Sequence, residues 1–280
     1  MPDVEKPEAL PRPATTGRLA SWDRWWILLA AVVLAVVALV ALQPDPYSNI
    51  VRFLLDGMWV TIWVTIVSYV CILAVGFVAG LGRIAKSPLI RGIASVYVEV
   101  IRGIPLLVQI YYIYYVSPAM VQALGRYLVE HVPSLSGLGA GLAQWTLNPF
   151  AGAVFGLTIC YGAYVGEIYR AGIESIPRGQ MEAARSLGMS YVQAMRHIIL
   201  PQAIRTILPP LGNEFVALLK DSSLVSVVAV ADMTRRGREM INQKFIPIET
   251  WTMVALLYLV LTVFAARIVA YIERKTTYAR

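Results

Sequence analysis

Seven polar side chains stand inside or beside strongly apolar stretches of this sequence: Gln109, Tyr164, Glu167, Lys220, Asp221, Ser222 and Ser223. By type they are hydrogen-bond donors and acceptors plus charges of both signs, a set that recognises a polar or zwitterionic solute. It is not a set that breaks bonds. No nucleophile stands beside a base, and no acid is paired for proton transfer. His131 and His197 are each alone, so no metal-ligand spacing appears. No G-x-x-x-x-G-K-[ST] stretch is present to cradle a phosphate. The sequence therefore assigns no catalytic residue, no metal site and no cofactor to this chain.

The elements that position these groups are membrane spans. The chain of 280 residues is 58% hydrophobic and only 15% charged, where a soluble domain carries roughly a quarter charged residues. Uncharged windows run over residues 25–42, 57–82, 103–125, 149–166, 222–231 and 250–266. A spanning helix needs about 20 apolar residues. Five windows suffice alone, and the 222–231 window must extend back through Glu214, Lys220 and Asp221. The expectation is an all-α membrane protein with six spanning helices. The 25–42 window is read as a retained anchor, with a secretory signal as the alternative. Residues 1–24 are read as a disordered cytoplasmic N-terminus, rich in proline and without an apolar face.

Lys and Arg set the orientation. Clusters before helix one, between helices two and three, between four and five, and at the chain end all fall on one side, which is then cytoplasmic. Both termini lie there. The segment Arg235, Arg236, Arg238 and Lys244 disagrees, falling on the outer side. The net charge of +7 is mostly this pattern and not a nucleic-acid patch, since the basic residues are dispersed over separate loops. Cys71 and Cys160 fall inside spans and read as small apolar residues.

Within the spans, Glu99 and Arg102 are expected to pair along one helix. Gln109 either faces a pathway or bonds a neighbouring helix. Glu167 either meets a solute's amino group or pairs with Arg170. Paired Pro209 and Pro210 suit a helix start. From there Lys220 lies roughly 16 Å along the helix, close to the midplane of a core about 30 Å thick. Residues 220–223 then form either a gate lining the pathway or a charged group neutralised by neighbours, with Lys220 and Asp221 facing different partners.

Between helices four and five lies a soluble-looking insert, 177–201. Pro177 suits a first helical turn, Gly188 a left-handed stop, and Ser190 with Gln193 a capping box. Pro201 is expected to end the second helix. Ala183 and Ala184 permit close approach, while Glu182 and Arg185 share one face. Such a knob either docks into another protein or packs on its own bundle.

The spacing Glu182-Ala183-Ala184, three residues, Gly188, nine residues, Ile198-Ile199-Leu200-Pro201 resembles the EAA loop of permease subunits of bacterial ABC importers. The flanks "YVEVIRGIPLLVQI", "YGAYVGEIYRAGIESIPRGQ" and "LPPLGNEFVALLKDSSLVSVV" resemble the polar amino acid subfamily, over about residues 53–272. The resemblance implies the type I importer permease fold. It makes Glu182, Ala183, Ala184, Arg185, Gly188 and Pro201 a coupling element for a separate ATPase. It further implies a second permease subunit, two ATP-binding subunits that hold ATP and Mg, an extracytoplasmic solute-binding protein, and residence in the bacterial inner membrane. The 25–42 helix and the long 117–148 outer loop depart from the pattern. Importers of osmolytes or oxyanions share the loop and remain alternatives. A self-contained secondary transporter would not explain the EAA spacing, and an intramembrane enzyme lacks any catalytic constellation.

This orientation is checked in a chain whose Cys71 and Cys160 are replaced by Ser. A cysteine at position 185 should label only from the cytoplasm, and one at 135 or within 235–244 only from outside. Cytoplasmic labelling within 235–244 would overturn the six-helix path.

Overall fold

The computed structural model describes residues 24–277, so the expectation for residues 1–24 falls, but for Arg24, outside the described residues. Every regular element is helical: α1 (Arg24–Leu42), α2 (Pro44–Arg83), α3 (Pro88–Gly103), α4 (Leu106–Tyr111), α5 (Ser117–His131), α6 (Ser136–Ala143), α7 (Pro149–Glu174), α8 (Arg178–Ser186), α9 (Tyr191–Ala194), α10 (Leu200–Asp221), α11 (Met233–Lys244) and α12 (Pro247–Thr277). Among the described residues four helices are long and apolar enough to cross a membrane, namely α1, α2, α7 and α12. A fifth span results if α3 and the helical run 106–131, bent by 108°, count as one.

The packing centre is the crossing of α2 and α7. A Cβ on Gly76 would come within 2.5 Å of Val165 Cγ1, and one on Gly80 within 2.7 Å of the Gly166 carbonyl oxygen. Gly82 similarly admits Ala94 of α3. These glycines are the helix-packing surface expected of small residues in a membrane. Val64, Ile72, Leu157, Val165, Ala203 and Leu218 form the buried core around this crossing. Cys160 is buried among them, as a small apolar side chain would be. Helix α1 lies outside this centre, against α12 and α2, with Trp25 beneath the Arg267 guanidinium at 5.3 Å.

Three expectations are corrected. The third span does not run straight from 103 to 125. It begins at Pro88 and breaks at Ile104, which is extended (φ −108°, ψ 135°) because the following Pro105 disfavours helical geometry there. The helix does not stop at Pro201 or restart at Pro209. A π-helical turn, Met195–Ile199, absorbs the missing Pro201 donor, and α10 then continues through Pro209 and Pro210 to Asp221. Burial of Ala203, Ile207, Leu211, Leu218 and Leu219 holds it helical against the two lost donors. Finally, residues 222–231 do not form an α-helical span. They make a 3₁₀ run, Ser222–Val228, closed by Ala229 in the left-handed region (φ 65°). Helix α10, at about 33 Å, is long enough to cross but carries Arg205, Glu214, Lys220 and Asp221. The fifth expected span is thus not among the helices apolar enough to cross a membrane on their own.

The 117–148 segment, expected as a long outer loop, is not an open loop. Helices α5 and α6 fold back on each other with Gly125 against Gly139. The basic segment that disagreed with the charge pattern is α11, and its three arginines are occupied. Arg235 and Arg236 pair with Glu239 at 2.9 and 3.2 Å, Arg236 lies over the Phe53 ring, and Arg238 reaches Ser226.

The α2–α7 crossing yields a test. Gly80→Leu should lower the melting temperature of the purified chain in detergent, by an overpacking cost of about 1–3 kcal/mol. Gly92→Leu, where a Cβ meets nothing within 4 Å, should leave it unchanged. Equal behaviour of the two variants would show that the crossing tolerates bulk.

Candidate functional site

Three polar regions adjoin α7. The first is the helix pair α8–α9, set between α7 and α10. Pro177 is extended (φ −55°, ψ 134°) and starts α8. Gly188 follows its end at φ 86° with open space around it, so conformation and not crowding demands glycine here. The Ser190 backbone N–H donates to Gln193 Oε1 at 2.8 Å, and the Gln193 N–H donates back to Ser190 Oγ at 3.3 Å. This is the capping box expected from the sequence. Ala184 is buried against the chain, whereas Glu182, Ala183, Arg185 and Leu187 are exposed. Pro201 is not a stop but the first turn of α10, so α9, the π turn and α10 are one continuous helical run.

The second region is an ion network at one end of α2, α3 and α7. Arg83 bridges Glu167 at 2.6 Å and Glu99 at 3.2 Å. Arg170 pairs with Glu167, its Nε at 3.0 Å, and with Glu174. Glu167 therefore holds two guanidiniums, which answers its open alternative in favour of pairing. The expected Glu99–Arg102 pair does not form. Glu99 turns to Arg83, and Arg102 lies over the Tyr164 ring at 5.4 Å.

The third region is a cavity of about 210 Å³ lined by Leu106, Cys160, Tyr161, Tyr164, Glu214 and Asp221. The Tyr161 hydroxyl donates to Asp221 Oδ2 at 2.7 Å. Of the seven residues singled out in the sequence, only Tyr164 and Asp221 line this space. Lys220 is exposed and does not share it. Ser222 is buried, donating to the Leu219 carbonyl at 2.8 Å, and Ser223 is half-buried outside the lining. Gln109 closes the broken helix instead, its Nε2 donating at 2.7 Å to the Ile101 and Ile104 carbonyls. Sequence reasoning passed over Tyr161 and Glu214. The signal for Glu214 was present, since it precedes Asp221 by seven residues and so shares its helix face.

A multi-pass helical bundle with a polar cavity and a protruding helix pair between two of its helices is the architecture of a transport permease. Residues 72–278 match the model of the binding-protein-dependent transport system inner membrane component, and the chain belongs to that family. It is 34% identical over 225 residues to the glutamine transport system permease protein GlnP of Escherichia coli strain K12, covering 80% of this chain and 93% of that protein. It is 31% identical over 265 residues to the arginine transport system permease protein ArgU of Corynebacterium glutamicum, covering 91% of this chain and 80% of that one. A chain from a crystal structure of an amino acid ABC transporter with histidines superposes with a TM-score of 0.68 at 35% identity, covering 81% of this chain and 96% of the other.

The ion network yields a prediction. Arg83→Ala and Glu167→Ala should destabilise the chain non-additively, with a coupling of about 1 kcal/mol or more in a double-mutant cycle of thermal stability. Additive losses would show that the pair is idle.

Proposed function

We propose that the chain forms half of a membrane pathway for polar amino acids, paired with a copy of itself or a related chain. A solute-binding protein delivers the solute outside, and two separate ATP-binding subunits, holding ATP and Mg, drive the cycle from the cytoplasm. Both termini are cytoplasmic. The observation that carries this reading is the helix pair α8–α9. It is inserted between α7 and α10, fixed by Gly188 and the capping box, and exposes Glu182, Ala183 and Arg185. A helix of about two turns is marginal in water unless something packs on it, and an ATPase groove would supply that packing. A cleft of about 410 Å³ beside Leu187, Gly188, Met189, Gln193 and His197 gives further surface for such a partner.

In this reading ATP binding draws the two coupling pairs together. Helices α7 and α10 move with them because each is joined to the pair with no flexible linker longer than a short turn. Tyr164 and Asp221 stand where the moving helices face the solute. Lys220, Ser222, Ser223, Gln109 and Glu167 serve helix geometry and ion pairing. An oxyanion cargo fits poorly, since the cavity presents two carboxylates. The relatives' printed substrates, glutamine and arginine, support amino acids.

Substituting Gly188→Val or Glu182→Ala should abolish substrate-stimulated ATP hydrolysis in the assembled transporter while the chain still inserts. Valine is strained at φ 86°, and Glu182 loses a docking contact. Undiminished transport by the Gly188→Val variant would overturn the coupling assignment.

A further inference from the structure

Resting only on the chain's being a membrane protein, and so going beyond the permease reading, we propose that the groove between α2 and α3 binds one anionic phospholipid, with Lys86 and Arg91 as its headgroup residues. The groove has a volume of about 580 Å³. Ala74, Val78 and Gly82 line it from α2, and Ile90, Ile93 and Tyr97 from α3. No charged side chain lines it. The Tyr97 hydroxyl is taken up by the Ile159 carbonyl at 2.6 Å, which leaves only apolar surface for an occupant. A groove of this kind on the side of a membrane helix pair takes hydrocarbon. Its length fits one leaflet. Ala74 to Gly82 covers roughly 12 Å at about 1.5 Å per residue, most of the roughly 15 Å that is half of a core about 30 Å thick.

Depth and charge decide which lipid. The uncharged run 57–82 ends at Arg83, so the turn between α2 and α3 lies at an edge of the hydrocarbon core. Gly82 and Ile90, the lining residues nearest the turn, flank it on either side, and Lys86 stands midway between them. Arg91 is held at the same turn, its Nε and Nη2 both donating to the Ala85 carbonyl, at 3.1 and 2.8 Å. A neutral carbonyl leaves that charge uncompensated. Among the described residues neither Lys86 nor Arg91 forms an ion pair, and residues 83–91 contain no acid. Glu99 and Glu167, the acids at this end of α3 and α7, are both engaged by Arg83. The groove thus joins an apolar channel of leaflet depth to two open cations at headgroup level. Basic residues at the mouth of a groove between spans recognise anionic headgroups. A zwitterionic headgroup brings its own ammonium beside both cations and gains less. The comparable groove beside α10 and α12 has Glu273 in its lining and offers no such match. On the orientation proposed above, the site belongs to the inner leaflet.

The test is native mass spectrometry of the purified full-length chain in detergent, titrated with dioleoyl phosphatidylglycerol or dioleoyl phosphatidylcholine. Phosphatidylglycerol should bind about tenfold or more tightly than phosphatidylcholine, given two basic residues at the membrane surface. Lys86→Gln should cut that preference about fivefold, the worth of one such residue. Lys86→Gln together with Arg91→Gln should abolish it. Lys244→Gln, at an exposed lysine ending α11, should leave it unchanged. Ala74→Phe, which fills the groove, should weaken both lipids alike. Equal binding of the two lipids, a preference that survives the double variant, an equal loss in Lys244→Gln, or undiminished binding by Ala74→Phe would overturn the proposal. Displacement by soluble glycerol phosphate at matched concentration would assign a free-anion site instead. Adducts missing only from a dimer peak would give the groove to a second copy, and either result also overturns the lipid site. If the Arg91→Gln variant aggregates, Lys86→Gln and the wild type decide. Solute uptake by the assembled transporter tests the permease reading separately, and failure of the lipid preference leaves that reading standing.

Discussion

The close crossing of α2 and α7 is the constraint on which the remaining polar geometry depends. Glycines at 76, 80 and 166 let the two backbones approach to a distance that no Cβ would permit. That approach carries Arg83, at the end of α2, to Glu167 on α7, and Glu99 of α3 joins the same guanidinium. On the far side α2 also holds α10, the Tyr69 hydroxyl donating to the Leu211 carbonyl at 2.9 Å. Helix α2 is therefore a common back wall. With α7 and α10 both fixed to it, Tyr161 and Asp221 meet across the space that remains.

What could be read in the sequence was whatever is decided within a few residues. The left-handed Gly188 and the Ser190–Gln193 capping box are local, and both stand as the residue pattern implied. So does the divergence of Lys220 and Asp221, which follows from helical geometry alone. The errors came where tertiary packing overrode a local rule. Proline normally ends a helix because its N–H is missing and its ring crowds the preceding turn. A π turn before Pro201 and the buried face of α10 accommodated three prolines, so the start of that helix was misplaced by about ten residues.

The candidate site was half legible for a related reason. An intramembrane Asp221 is visible as an anomaly in any hydropathy reading, but its partner Tyr161 is sixty residues away. Nothing in spacing brings them together. Gln109 was equally anomalous, yet it satisfies the carbonyls freed by the break at Pro105, a defect that no periodicity announces. Glu167 shows the opposite case. Its i,i+3 neighbour Arg170 was foreseeable, and the larger surprise is that Arg83, from another helix, shares it.

Helix α10 links the α8–α9 pair to the cavity, and its ends differ from its middle. It begins after a π turn, Met195–Ile199, and finishes in a 3₁₀ run, Ser222–Val228. Both are helical forms with poorer or shifted hydrogen bonding, often found where a helix must flex. Between them Pro209 and Pro210 each remove a donor from the ladder, yet the helix continues and places Glu214 and Asp221 on one face. The cavity lies at one of those ends, beside the residue where the ladder changes. A carboxylate there, accepting a hydrogen bond from Tyr161 of α7, ties the end of α10 directly to α7. That places the polar cavity and the join to the α8–α9 pair on the same helix.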